Sequence, residues 1–359
     1  METSHQAHHT EESLDNLHSG FHHMQAAHCE NGVTTALLKH YGIHKLTEPL
    51  VFGIGSGLFY IQLPFMKVNG GPAISFRTMP GLIFKRTCTA LGVPVTRKKY
   101  TSPQKAMQEL DERLAQGKPT ACQVGVFYLT YFPKEYRFHF NAHNLIVVDK
   151  QGDNYIISDP IMETLVSMTS YELQRVRFAK GAFAPRGQMY YPGDNLTEAT
   201  DEQIRNGIIK GIKRNCRDML LIPGSFAGAK GIAYTGRQIK KWKNKLGDDK
   251  ARAYLAQLVR MQEEIGTGGG GFRFIYGAFL QQAHAYLPID ELLDVSQQIT
   301  VTGDKWRGAA IQAAGIYKGR LGSQADYDDM GNRLIEIAEL EKKAFKDLQN
   351  AIKKAKSLV

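Results

Sequence analysis

From about residue 198 to the end of the chain, apolar residues keep helical spacing and no alternating stretch interrupts them. Ile204, Ile208, Ile212 and Cys216 recur every four residues. Near the end, Leu334, Ile337, Ala338, Glu341, Ala344, Phe345, Leu348 and Ile352 fall along one side of a single long helix. The other faces of that helix carry Lys and Glu, a solvated surface. A sequence of this kind builds a helical domain and little else.

The first half has a different period. Val33, Ala36, Leu37 and His40 are spaced as a helix that Gly42 ends. Val51 to Phe59 reads as a short apolar strand entering a glycine-rich turn, and residues 103–116 as an amphipathic helix with Pro103 near its start. Thr120 to Leu129 is β-rich. Leu145 to Val148 and Tyr155 to Ile157 flank the turn Gln151-Gly152-Asp153-Asn154 and read as a hairpin. Residues 180–197, rich in Gly and Pro, mark a boundary. The expected fold class is α+β: a polar tail at 1–20, a mixed domain at 21–190 and an α-helical domain at 198–359, which suits a length of 359 residues.

Charge and cysteine usage narrow the function. Forty-five Lys and Arg against 35 Asp and Glu give +10, which favours an acidic partner. No zinc finger, helix-turn-helix or aromatic-basic RNA motif is present, so a nucleic acid is not expected as that partner. Cys29, Cys88, Cys122 and Cys216 are scattered, without a CxxC pair, which argues against a disulfide framework or a cysteine-rich zinc site. The start lacks an apolar stretch, and no run of about eighteen apolar residues exists. Neither a signal peptide nor an integral membrane segment is expected, and the cytoplasm follows by default. His5, His8 and His9, with His22 and His23, are unevenly spaced and read as a solvated tail, so no metal site is expected.

One cysteine stands apart. Cys29 opens a helix within the polar run His28-Cys29-Glu30-Asn31-Gly32. The positive end of the helix dipole favours its thiolate, a nucleophile. Such a nucleophile needs a base, and the base needs an orienting acceptor. His143 opens one hairpin strand, and Asp159, followed by Pro160, closes the other. A hairpin centred at Gln151 sets the two directly opposite each other on one face of its open end. Asp149 and Asp153 lie at the turn end instead.

The order Cys29, His143, Asp159 is that of papain-like cysteine enzymes. The run His143-Asn144-Leu145-Ile146-Val147-Val148 through Ile157-Ser158-Asp159-Pro160 resembles the His-to-Asp-Pro stretch of peptidases that cleave double-glycine leaders. A closer resemblance is to the butirosin biosynthesis protein H family. It is carried by His28 to Gly32, by Glu48 with Gly53-Ile54-Gly55-Ser56-Gly57-Leu58, and by His143 and Asp159-Pro160. Thr267 to Gly271 with Phe272, Arg273, Tyr276, Phe279 and Leu280 resembles the helical domain that follows in that family.

The resemblance implies a papain-like catalytic domain and an acyltransferase. An acyl group would pass from an acyl carrier protein thioester to Cys29, then to an amine or hydroxyl of a small-molecule acceptor, in secondary-metabolite or lipid biosynthesis. No cofactor is implied beyond the phosphopantetheine that arrives on the carrier. The alternative is a cysteine hydrolase (thioesterase, amidase or peptidase) with the same triad. A non-catalytic scaffold is disfavoured by intact Cys29, His143 and Asp159. Papain-like enzymes carry an oxyanion glutamine six residues before the cysteine. Here that position is His23, with Gln25 four residues before Cys29, so the Cys29 backbone N–H competes with Gln25 as donor.

Further expectations concern substrate contacts. Gly55, Ser56 and Gly57 form a tight turn suited to close backbone approach, including to phosphopantetheine. Gly269 and Gly270, within the run Gly268 to Gly271, read as a movable lid. Arg273 would then meet a phosphate or carboxylate, and Tyr276, with Phe272 and Phe279, would cover an acyl chain. Lys240, Lys241, Lys243 and Lys245 read as a solvated helix face and as the best docking point for an acidic carrier protein.

Overall fold

A computed structural model describes residues 20–68 and 70–355. Of the expected tail only Gly20 is among them, and His5, His8 and His9 lie outside the described residues. The chain packs as two units. One is residues 97–191 with the segment up to Gln25; the other is residues 26–96 with 192–359. The two units meet along the chain at Thr96/Arg97 and at Tyr191/Pro192. The expected mixed domain at 21–190 is itself divided, because residues 26–96 pack with the helical second half.

Residues 26–96 form α1 (Cys29–His40), α2 (Glu48–Ile54), the antiparallel pair β1 (Leu58–Val68) and β2 (Gly71–Arg77), and α3 (Leu82–Leu91). The apolar run expected as a strand from Val51 begins as the end of helix α2 and joins a strand only at Leu58. Thr47 caps its start by accepting from the Leu50 N–H, and Pro49 sits in its first turn. Short apolar runs do not distinguish strand from helix by themselves, and here tertiary packing decides. A Cβ on Gly53 would lie 2.2 Å from the Phe279 ring, and one on Gly211 would lie 2.3 Å from the Gly53 carbonyl oxygen, so glycines permit this close approach.

The other unit is built on a sheet. Its elements are β3 (Val95–Lys98), α4 (Pro103–Leu114), β4 (Thr120–Val124), β5 (His143–Gln151), β6 (Asn154–Ser158), β7 (Val166–Thr169), α5 (Ser170–Arg177) and β8 (Met189–Pro192). The strand order is β3-β8-β4-β5-β6-β7. Leu110 and Leu114 of α4 pack with Val124, Leu145, Val147 and Ile157 from the sheet. Burying each such side chain contributes about 1.5–3 kcal/mol.

The β5–β6 hairpin exists, but its register differs from the expected one. Gln151 pairs with Asn154, making a two-residue turn, and the register shifts between Val147 and Asp149, so that Ile146 faces Ser158. His143 and Asp159 are therefore not directly opposite.

The second half is helical, as its period implies: α6 (Asp201–Leu220), α7 (Gly228–Leu246), α8 (Asp248–Val259), α9 (Arg273–Tyr286), α10 (Glu291–Tyr317) and α11 (Gln324–Ala355). A capping box at Thr200 and Gln203 starts α6. The α11 stripe from Leu334 to Ile352 is buried, including Glu341, whose charge needs a partner. Among the described residues no helix is long and apolar enough to cross a membrane.

Candidate active site

Cys29 is the first residue of α1 and is buried. The chain leading to it is clamped. Glu48, at the start of α2, accepts the Ala27 N–H through Oε2 at 3.0 Å and the His28 N–H through Oε1 at 2.9 Å. Burial raises the Glu48 carboxyl above its ordinary value, and the two backbone N–H groups partly offset this. No other acidic residue lies between Glu30 and Glu109, a signal in the sequence that marks Glu48 as unusual.

His28 caps α1. Arg77 Nη1 donates to His28 Nε2 at 2.7 Å, and Arg77 Nη2 donates to Glu30 Oε2. A guanidinium has only donors, so Nε2 accepts and a neutral ring carries its proton on Nδ1. The Asn31 N–H at 3.4 Å from Nδ1 is then a contact without a hydrogen bond, despite its capping position. Glu30 is buried and also accepts the Ile83 N–H at 3.0 Å. The negative charge beside Cys29 is thus balanced by Arg77.

Behind His28 lies the glycine run. Phe272 sets its ring edge-on to His28, with centroids 5.1 Å apart, and stacks on Phe52 at 5.3 Å. Phe272 has φ of 71°, a left-handed conformation that a bulky residue keeps only when its surroundings impose it. The surroundings are specific. Arg273 donates to the Gly271 carbonyl at 2.6 Å and makes two 2.8 Å bonds to Glu341, which also accepts the Trp306 indole N–H at 2.8 Å.

Arg273 is therefore spent on an internal carboxylate, not on a phosphate or a substrate. Tyr276 is fully buried in the core rather than lining an open site. Gly270 and Gly271 are buried as well, and Glu263 accepts the Gly270 N–H at 3.1 Å. A Cβ on Gly271 would lie 2.4 Å from the Phe76 ring. The run is a packed buttress rather than a lid, and Gly269 and Gly270 serve that packing.

Gly55, Ser56 and Gly57 are also buried at the end of α2. Arg86 Nη1 donates to the carbonyls of Gly55 and Ser56 at 3.3 and 3.2 Å, so the turn's own backbone acceptors are already used.

His143 and Asp159 sit in the other unit. His143 Nε2 donates to Asp159 Oδ2 at 2.7 Å. Asp159 follows β6 and reaches His143 across the strand pair diagonally, a separation within reach of long side chains. Tyr131 donates to the same Oδ2 at 2.8 Å, the Ile161 N–H donates to Oδ1 at 3.1 Å, and the Phe132 ring stands edge-on to His143 at 5.7 Å. Burial and the Asp159 charge push the Tyr131 phenol well above its ordinary value, so it stays a donor. Sequence reasoning did not single out Tyr131; it lies in a run so rich in aromatics that none is distinguished.

His23 is braced beside this pair, its ring nitrogens 2.8 Å from Ser158 Oγ and 3.1 Å from the Met162 carbonyl. Gln25 is exposed. Burial pushes the Cys88 and Cys216 thiols up to about 12 and raises Cys122 as well, so these three stay protonated and inert. Among the described residues no group of three or more His, Cys, Asp or Glu is arranged to hold a metal ion. On α7, Lys241 and Lys245 are exposed, whereas Lys243 bonds Asp248 at 2.8 Å.

No curated protein matches the chain. Among solved structures, a chain described as a C39-like peptidase from Bacillus anthracis matches at 11% identity and a TM-score of 0.32, covering 51% of this chain and 98% of that one. Residues 171–348 match a domain of unknown function designated DUF4872. Residues 28–160, which run from the cap of α1 through Asp159-Pro160, match the model described as butirosin biosynthesis protein H, N-terminal.

Proposed function

We propose that the chain is a cysteine acyltransferase with Cys29 as nucleophile, His143 as base and Asp159 as the group that orients His143. The reading rests chiefly on the 2.7 Å bond from His143 to Asp159, together with a single cysteine at a clamped helix start. The match of residues 28–160 to the butirosin biosynthesis protein H N-terminal model supports it. The Cys29 thiolate attacks the carbonyl carbon of an acyl thioester on a carrier protein. The pantetheine thiolate leaves and takes a proton from the His143 imidazolium. An amine or hydroxyl of a small acceptor then attacks the acyl-Cys29 carbonyl, gives its proton to His143 and expels the Cys29 thiolate. The Cys29 N–H, at the positive end of α1, is the proposed oxyanion donor. The carrier docks on Lys240, Lys241 and Lys245.

Intact-protein mass spectrometry after mixing with a loaded carrier tests this directly. The acyl mass is expected on the chain, located at Cys29 by peptide mapping and absent from Cys29→Ala. An adduct on Cys88, Cys122 or Cys216, or none, would sink the assignment. The lifetime of the adduct separates the two chemistries: it should persist alone and discharge when an amine or alcohol is added. Discharge to water at the turnover rate, whatever acceptor is supplied, makes the chain a hydrolase.

A further inference from the structure

The charge of this protein is concentrated. Between Gln203 and Gly247 stand four arginines and seven lysines against one acid, Asp218. This segment forms α6, α7 and the turn joining them. Of the elements packed on α6 and α7, β1 contains no acidic residue, and neither does its partner strand β2.

Apolar side chains stand out from the same place. Along β1, burial alternates up to Leu63, and then Pro64, Phe65, Met66 and Lys67 are all exposed. Pro64 has no N–H to give the ladder, and the register is irregular from Leu63 to Lys67. Phe65 is 75% exposed and Met66 47%. Beside them runs the α6–α7 turn: the Gln62 N–H donates to the Phe226 carbonyl at 2.9 Å, and the Phe65 ring meets the Phe226 ring edge-on at 6.4 Å. Leu221, which closes α6, is 62% exposed. Arg217 lies one turn before Leu221 on the same face of α6 but donates to Asp218 Oδ1 at 2.9 and 2.7 Å, whereas Lys230 lies exposed in the first turn of α7.

Single exposed apolar residues need no explanation. Three of them, carried on β1 and on the α6–α7 turn that the Phe65–Phe226 contact joins, in a segment rich in cations, do. We propose that this face, formed by the exposed end of β1 and the α6–α7 turn, docks on an anionic lipid bilayer surface. Phe65, Met66 and Leu221 would enter the boundary between headgroups and acyl chains, while Lys67 and Lys230 meet the headgroup phosphates and carboxylates. A protein partner fits less well. Protein interfaces seat their anchors in packed pockets, whereas these side chains project separately from the end of β1 and from the α6–α7 turn. The inference is independent of the chemistry at Cys29, because binding is read without turnover.

The test is co-sedimentation of the full chain with vesicles of phosphatidylcholine alone and with about 30% phosphatidylserine added. Binding is expected only with phosphatidylserine, weakening as salt shortens the Debye length to roughly 3 Å at 1 M. Phe65→Ser with Met66→Ser and Leu221→Ser should weaken it about tenfold with the circular dichroism spectrum unchanged. Lys67→Glu with Lys230→Glu, an independent pair should the serine variant misfold, should weaken it similarly. Absence of binding, equal binding to neutral vesicles, or indifference to both variants overturns the proposal. So does binding to a soluble acidic carrier protein through these residues while vesicles are ignored.

Discussion

Tyr131→Phe removes one oxygen and isolates one effect. In the wild-type chain the Asp159 Oδ2 receives two donors, His143 Nε2 at 2.7 Å and the Tyr131 hydroxyl at 2.8 Å. The hydroxyl draws on the same lone pairs that hold the imidazole. Without it the Oδ2 lone pairs serve His143 alone, and the His143 imidazolium is better stabilised. A hydrogen bond to a charged group is worth about 1.5–3 kcal/mol. If roughly a third of 2 kcal/mol reaches the imidazolium, its pKa rises by about half a unit, since one unit is about 1.4 kcal/mol.

The sign gives the prediction its discrimination. In a thiolate–imidazolium pair the acidic limb of kcat/KM reports loss of the thiol proton, and the alkaline limb reports loss of the imidazolium proton. Tyr131→Phe should move the alkaline limb up by about half a pH unit and leave the acidic limb in place. NMR titration of the His143 ring should show the same upward shift. A purely structural loss would lower the amplitude and move neither limb. An unmoved alkaline limb in a folded variant refutes the shared-oxygen argument.

Glu48→Gln places an amide N–H2 against one of the two backbone N–H groups, so one clamp bond is lost, and kcat/KM should fall about tenfold. Because burial raises the Glu48 carboxyl in the folded state, its ionisation costs stability above that raised value and the cost fades as pH falls through it. Urea denaturation should therefore show wild type gaining on Glu48→Gln from neutral pH toward pH ~5, and a constant difference would contradict this. Glu341→Gln leaves the Arg273 guanidinium buried without its counter-charge and should cost about 3–5 kcal/mol, read as a lower urea midpoint at unchanged m.

Much of the site was legible because its chemistry is local. Cys29 at a helix start needs only the spacing of Val33, Ala36 and Leu37, and the hairpin needs only its turn and two β-rich runs. The register was not legible. Whether a hairpin pivots on Gln151 or on the Gly152-Asp153 turn depends on backbone geometry, and the shift near Val148 leaves no mark in composition. His143 and Asp159 still meet because a carboxylate reaches a diagonal neighbour as well as a direct one. The glycine run misled for a related reason. Flexibility and tight packing both select glycine, and only the neighbours Phe76, Glu263 and Gly303 show that here it is packing. Arg273 resembled a ligand-binding cation because its partner, Glu341, is 68 positions away and looked like one more residue of an apolar stripe.

That long-range pairing has a consequence for how the chain can be divided. The family match ends at residue 160, which invites expression of the first half alone. Residues 26–96 pack with 192–359, however, and the contacts are specific. Phe52 stacks on Phe272, Phe76 meets the Trp306 ring at 5.1 Å, and Tyr60 lies 6.0 Å from Trp306. Cutting the chain after residue 192 would expose Phe52, Phe76 and Tyr60 together. At about 1.5–3 kcal/mol each this is roughly 5–9 kcal/mol, comparable to the whole stability of a domain at about 5–15 kcal/mol. It would also remove Phe272 from the His28 ring. A fragment ending at 192 should therefore fail to keep α1 to α3 in place, and Cys29 in it should react with iodoacetamide no faster than a free thiol. Amide hydrogen exchange across 29–91 is the measurement. Protection there equal to that of the full chain, with Cys29 still selectively labelled, would show that the helical half is not what holds Cys29.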